Sequence, residues 1–411
     1  MTRLAAALSL FAFAAPAHAG WTTTTIGGLS TQVYVPATPS TSRSNGRALF
    51  VVLHGCSQSP NEYRNRDDLD ALAEDRGWVI ALPSAPASLL GCFNYYGPTH
   101  TRTSGDAGAV LGATQALLNN AQLNIDPRQV YVGGLSAGGS MAQVVGCVAP
   151  DVYTGVVSVA GPIVGSGIGG AFTIDTRAAQ GAATCRNLAG GNVGELDQQL
   201  AVVVAGTNDF TVPQGYRAEV SEMYADLYDL GAPRTMNLTA LPGGAPGTVE
   251  VWRDGPRPRL ASLAPQGLGH AWPAGSGGGP EIGFINGGSV DLSAAVGIFF
   301  DRFNPRLGAA PPPVDPDPVD PDPVDPDPVD PDPVDPDPVD PDPAPTSCAV
   351  SVASGTLNDH LPRYAVYPAG YGLADITYVA LQSQFSLGTV FDVFEADNGD
   401  WYLDEDAVPC P

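Results

Sequence analysis

The sequence predicts an α/β fold, with a mostly parallel sheet covered by helices on both faces. Two observations carry this. Short apolar runs at 48–53, 78–82, 130–132, 155–160 and 201–205 are continuous rather than alternating, as in strands buried on both faces. Helix-compatible stretches lie between them, so strand and helix alternate along the chain. A hydrophobic content of 44% is enough to fill such a core.

Taken in order, Leu29 to Val35 alternates and reads as an edge strand. The buried strand from Ala48 to Leu53 ends in His54-Gly55-Cys56-Ser57-Gln58. One helix is expected over Asn61 to Arg76, then the strand Trp78 to Leu82 and a loop from Pro83 to Gly105. A helix from Ala107 to Ala121 and the turn Asp126-Pro127 lead to the next strand, Val130 to Val132. That strand enters Gly134-Leu135-Ser136-Ala137-Gly138, and a helix-compatible run, Ser140 to Val145, leaves it. Gly155 to Ala160 is another strand, and the Gly-rich stretch 165–194 reads as a long surface loop. Strand Ala201 to Ala205 delivers Gly206-Thr207-Asn208-Asp209, and helix Gln214 to Leu230 follows. Strands at Glu250 to Arg253 and Arg259 to Leu263 precede a loop, Gly267-Leu268-Gly269-His270-Ala271-Trp272-Pro273. A closing amphipathic helix, Asp291 to Phe303, aims Leu292, Val296, Phe299, Phe300 and Phe303 at the core.

The ends of the chain are different material. Residues 1–19 read as a signal peptide: Arg3 supplies the charge, Leu4 to Ala15 the apolar stretch, and Ala17-His18-Ala19 the cleavage site. The protein is therefore expected to be secreted, extracellular and soluble. The domain that follows, 20–310, gives way at 311–347 to a Pro/Asp-rich linker, in which Val-Asp-Pro-Asp-Pro repeats six times. Proline at this density removes donors and fixes φ, so the linker is a polyproline II spacer reaching roughly 100 Å. Residues 348–411 form a small second domain with nine aromatic side chains, including Trp401 and Tyr402. A bracketing disulfide would help so small a unit, and Cys348 and Cys410 stand at its ends. Some of its aromatics could face outward and stack on a solid surface.

Charge excludes one partner class. Of the formal net charge of −25, the linker repeat carries 12 negative charges and the last domain a net eight, leaving −5 for residues 1–313. There is no Lys and no basic patch, so nucleic acid is not an expected partner. No stretch beyond the leader suits a membrane. Six Cys in an exported chain imply three disulfides, with Cys56, Cys92, Cys147 and Cys185 left for the main domain. There is no Cys-x-x-Cys pair, and neither a metal nor another cofactor is expected.

The chemistry centres on Ser136. Strand, Gly-x-Ser-x-Gly and helix together form the context of a nucleophile elbow, which holds a serine hydroxyl clear of the backbone. A serine needs a base, and the base needs a carboxylate; elbow folds supply them in the order Ser, Asp/Glu, His. His54 and His100 precede Ser136, and His360 lies beyond the linker, which leaves His270. Asp209 directly follows a buried strand, at the edge where such sheets place their sites; Asp175 and Asp197 are weaker choices, and Asp291 breaks the order. The tetrahedral intermediate needs two N–H donors, assigned to Ala137 and Cys56. His54 is read as holding its loop. Trp272 could wall an acyl pocket or sit in the core.

These tracts, with Gly91-Cys92-Phe93-Asn94 and Gly269-His270-Ala271-Trp272-Pro273, resemble the extracellular poly(3-hydroxybutyrate) depolymerases, within the secreted polyester and feruloyl-type esterases. The resemblance covers roughly residues 27–305. It implies an α/β-hydrolase fold, the catalytic residues Ser136, Asp209 and His270, the oxyanion donors Cys56 and Ala137, and disulfides Cys56–Cys92 and Cys147–Cys185. It also implies a serine esterase, acting as a monomer on an insoluble polyester surface through an acyl-enzyme, with 348–411 as its substrate-binding domain. A feruloyl or acetylxylan esterase acting on plant polysaccharide is the alternative.

Overall fold

The computed structural model describes residues 20–37, 46–86, 91–96, 100–275 and 283–308, and the backbone of four strands within 351–402. The expected leader, the linker, and Cys348 and Cys410 lie outside the described residues. The chain divides into two units, Met1–Ala309 and Ala310–Pro411.

A ten-stranded sheet forms the first unit. Its strands are β1 (Gly20–Ile26), β2 (Leu29–Val35), β3 (Arg47–Leu53), β4 (Val79–Pro83), β5 (Ile125–Leu135), β6 (Gly155–Val159), β7 (Leu200–Val204), β8 (Arg234–Asn237), β9 (Gly247–Asp254) and β10 (Arg257–Pro265). They lie in the order β1-β2-β4-β3-β5-β6-β7-β10-β9-β8. The middle six, β4 to β10 in that order, are parallel. Antiparallel strands extend the sheet on both sides. The continuous apolar runs are the parallel strands: every residue of β4, β6 and β7 is buried. Helices from both faces supply the burial that such runs require. This is the mostly parallel, helix-covered sheet that the apolar runs predicted, and the α/β-hydrolase arrangement that the resemblance implied.

Seven α-helices accompany the sheet in the described residues: α1 (Pro60–Arg66), α2 (Leu69–Arg76), α3 (Gly105–Leu118), α4 (Ala137–Val148), α5 (Ala178–Ala189), α6 (Tyr216–Leu227) and α7 (Leu292–Phe303). None is long and apolar enough to cross a membrane. Two further strands, β11 (Trp272–Pro273) and β12 (Ile285–Asn286), pair in parallel apart from the main sheet.

Several expectations need correction. Leu29–Val35 is not an edge strand, because β1 pairs along its whole length. The single helix expected over Asn61 to Arg76 is two, broken at Asp67 and Asp68. Asp67 takes an extended conformation and turns its carboxylate inward to accept a hydrogen bond from Ser293 Oγ on α7 (2.9 Å). The stretch 165–194 is not one long loop: glycines flank the Ala-rich α5, which Cys185 bonds to Cys147 of α4. On α7, Leu292, Val296 and Phe300 are buried, but Phe299 and Phe303 are only half-buried and pack edge to face on each other.

In the second unit, β13 (Ser351–Thr356), β14 (Val366–Tyr367), β15 (Val390–Glu395) and β16 (Trp401–Tyr402) form a sheet in the order β13-β15-β16-β14.

Candidate active site

Parallel strands end on one edge of their sheet, and the neighbouring loops beyond those ends meet there. Ser136 immediately follows β5. Asp209 lies in the loop beyond β7, and His270 in the loop beyond β10. β6 separates β5 from β7, and β7 and β10 are neighbours. The three residues therefore share one edge, although 134 positions separate the first from the last.

Ser136 alone connects β5 to α4, at φ 58° and ψ −121°. A non-glycine residue in such a region costs on the order of 1–3 kcal/mol and needs rigid surroundings. Its N–H donates to the Val159 carbonyl (2.8 Å), and its carbonyl accepts from the Ser140 N–H (2.9 Å). A side chain on Gly138 would run into the Leu53 carbonyl, so α4 can pass this close to β3 only without a Cβ there. The Ser136 side chain is half-exposed, and its hydroxyl makes no hydrogen bond among the described residues.

The loops carrying Asp209 and His270 are tied by their backbones. Thr207 N–H donates to the Pro265 carbonyl (3.0 Å), and Asn208 N–H to the Leu268 carbonyl (2.9 Å). Gly206 lies against that same Leu268 carbonyl, where a Cβ would not fit. Asp209 is buried and uses both oxygens. Oδ1 accepts from the Thr211 and Val212 N–H groups (2.9 and 3.0 Å), and Oδ2 pairs with His270 Nδ1 (2.8 Å). An ionised carboxylate only accepts, so Nδ1 is the donor of this pair, and in the neutral ring that tautomer leaves the Nε2 lone pair to act as a base. The Phe284 ring stands edge-on to the imidazole, centroids 6.0 Å apart.

The two N–H groups assigned to the oxyanion make no hydrogen bond among the described residues. Ala137 is the first residue of α4, so its N–H has no acceptor within the helix and lies at the positive end of the helix dipole. Cys56 sits in the loop after β3 and is disulfide-bonded to Cys92. Gly55 brings this loop against the nucleophile, since a Cβ there would stand 3.3 Å from Ser136 Cβ.

His54 holds its loop. Its Nδ1 lies 2.8 Å from the Gly55 carbonyl, and its Nε2 accepts from the Ala85 N–H (3.0 Å). Burial lowers its pKa, although the hydrogen bond to Gly55 acts the other way. Asp175 accepts from Gly167 N–H and Tyr216 OH, and Asp291 caps α7. Of the two readings open for Trp272, pocket wall or core, its 0% exposure and edge-to-face packing on Tyr63 match the core one. Sequence reasoning missed Phe284, which no motif marks, and the bridging role of Gln58, whose side-chain contacts appear only in three dimensions. Among the described residues, no group of three or more His, Cys, Asp or Glu side chains could hold a metal ion.

Comparison with known proteins gives the family and the fold. Residues 29–222 match the family described as Esterase PHB depolymerase. The chain is 32% identical to a poly(3-hydroxybutyrate) depolymerase of Ralstonia pickettii over 69% of its length, covering 59% of that protein. It is 27% identical to poly(3-hydroxyalkanoate) depolymerase C of Paucimonas lemoignei over 62% of its length, covering 62% of that protein. The chain thus spans about three fifths of each of these curated relatives. An acetyl xylan esterase structure from Aspergillus awamori shares the fold, with a TM-score of 0.52, 18% identity, and coverage of 61% of this chain and 94% of that one. On the matched family and these relatives, the domain at residues 29–222 belongs to the Esterase PHB depolymerase family.

Proposed function

We propose that the protein is a secreted serine esterase that hydrolyses an insoluble aliphatic polyester, foremost poly(3-hydroxybutyrate), to oligomers and monomers. The observation that carries the reading is the buried Asp209–His270 pair, on the same sheet edge as a serine at φ 58°. Ser136 Oγ attacks the ester carbonyl as His270 Nε2 takes its proton. The tetrahedral oxyanion is received by the N–H groups of Cys56 and Ala137. The imidazolium, stabilised by Asp209, then protonates the leaving alkoxide oxygen, and the acyl group stays on Ser136. Water attacks this acyl-enzyme by the same route in reverse roles and releases the acid. The hydrogen bond between Ser136 and His270 closes when substrate is bound, since such bonds are often long in free enzymes.

The choice of polyester over the feruloyl or acetylxylan alternative is supported by the two depolymerase relatives. In this reading, residues 1–19 direct export, 20–310 catalyse, 311–347 space, and 348–411 bind the solid. The two disulfides of the first unit support an oxidising destination. The test is Ser136→Ala, assayed on poly(3-hydroxybutyrate) film, feruloylated xylan and a soluble butyrate ester. The wild type should erode the film, and the variant should lose hydrolysis of film and ester while still adsorbing to the polymer. Turnover retained by the variant would refute the nucleophile. Wild-type activity on xylan and none on film would shift the substrate to plant polysaccharide.

A further inference from the structure

Gln58 lies between the two halves of the site and is assigned no role by the mechanism above. It is buried, and its amide makes two hydrogen bonds in opposite directions. Oε1 accepts from the Gly55 N–H (2.6 Å), and Nε2 donates to the Gly283 carbonyl (2.5 Å).

The first bond fixes the loop that carries the Cys56 N–H. Gln58 N–H reaches back weakly to the Gly55 carbonyl (3.4 Å), and Ser57 has φ 59°, so residues 55–58 form a tight turn with a non-glycine residue in the left-handed region. The Gly55–Gln58 side-chain bond holds this turn closed. The second bond fixes the segment behind the imidazole. Gly283 adjoins Phe284, whose ring meets His270 and whose carbonyl accepts from the Trp272 N–H (2.8 Å). β12 continues from there and pairs with β11, two residues past His270. One amide thus spans from the oxyanion loop to the support of the base, 225 positions apart in sequence.

We infer that Gln58 is a positioning residue that sets the distance between the oxyanion donor Cys56 and the base His270. The inference rests on the esterase reading. It acts through backbone groups and touches neither substrate nor reacting atoms. The disulfide to Cys92 holds the same loop from another side. Gln58 adds the link to the histidine segment, which the disulfide does not make.

The amide is matched to its task because it accepts at one end and donates at the other. Gln58→Ala removes both bonds. Gln58→Glu keeps the acceptor for Gly55 but turns a carboxylate oxygen toward the Gly283 carbonyl; once protonated, the carboxyl again accepts and donates. The experiment measures kcat and KM for a soluble p-nitrophenyl butyrate from pH 5 to 9 for wild type, Gln58→Ala and Gln58→Glu, with thermal melting of each. Ser136 is titrated with a serine-directed phosphonate so that rates are counted per functional site.

Gln58→Ala should lower kcat by roughly 10- to 100-fold, less than outright loss of an oxyanion donor, with KM within about threefold. The ratio of Gln58→Glu to wild-type kcat should rise as the pH falls, because the acid limb common to both enzymes cancels in it. If wild-type Ser136 takes no phosphonate, the esterase reading fails, and this inference fails with it. If the wild type is active, a Gln58→Ala loss confined to KM, or a Gln58→Glu ratio flat with pH, overturns the role of Gln58 alone. Should Gln58→Ala fail to fold, the ratio for Gln58→Glu decides by itself.

Discussion

Asp209→Asn is the substitution on which the proposed chemistry is most exposed. The carboxylate holds three donors: Thr211 and Val212 N–H on Oδ1, and His270 Nδ1 on Oδ2. An asparagine has one acceptor end and one donor end. Two fixed backbone N–H groups require the acceptor on their side. Turning the amide round would point its NH2 at both of them, leaving the part-buried Thr211 N–H without its acceptor and stranding the buried Val212 N–H at about 1–3 kcal/mol. The amide therefore presents its NH2 to His270, Nδ1 must become the acceptor, and the ring proton moves to Nε2. Nε2 can then no longer take a proton from Ser136. A tautomer error of this kind lowers kcat by about 10⁴ in the serine-protease triad, and a similar fall is expected here, with KM little changed. Hydrolysis of a soluble butyrate ester at pH 8, with phosphonate titration of sites, measures it. Stability should fall by about 1–3 kcal/mol for the lost charge-assisted bond. A variant within tenfold of wild-type kcat would refute the argument, because His270 would then not depend on Asp209 for its tautomer.

Two further expectations concern the frame. Burial raises the pKa of Asp67 well above its ordinary 3.8, outweighing the Ser293 hydrogen bond, with Asp291 and Asp68 adding to the rise. Folding therefore favours the protonated carboxyl, and this group's contribution is greatest at acid pH and declines as pH climbs from near 4 toward the raised folded value. Urea unfolding across pH should show Asp67→Asn gaining stability relative to wild type as pH rises; a constant difference would mean that Asp67 does not titrate in this way. The Cys147–Cys185 bridge closes a separation of 38 residues between α4 and α5, away from the reacting groups. Replacing both by Ala should cost about 2–4 kcal/mol in urea unfolding while kcat at 25 °C stays within about twofold. A large fall in kcat for the folded variant would place that helix pair in the catalytic frame.

Local chemistry made much of the molecule legible in the chain itself. Continuous apolar runs marked the parallel strands because a strand covered on both faces has no polar side to show. Gly134 and Gly138 marked the elbow because no other residue fits against the backbone there. The Ser, Asp, His order of elbow folds, applied to the few histidines available, singled out His270 as the candidate base, and the place after a buried strand singled out Asp209. Tertiary structure decided what depends on partners distant in sequence. Asp67 stands where a helix of continuous pattern breaks, and its buried carboxyl meets Ser293 of α7, a partner 226 positions away that no local pattern reveals. β1 shields Leu29–Val35, whose alternation alone reads as an edge. Trp272 went to the core, although its place beside His270 was equally compatible with a pocket, because its burial, with Tyr63 packed edge to face on it, exists only in the folded chain. Gln58 and Phe284 could be recognised only once residues 55–58 and 283–286 were brought together, since a side chain's role is set by what it touches.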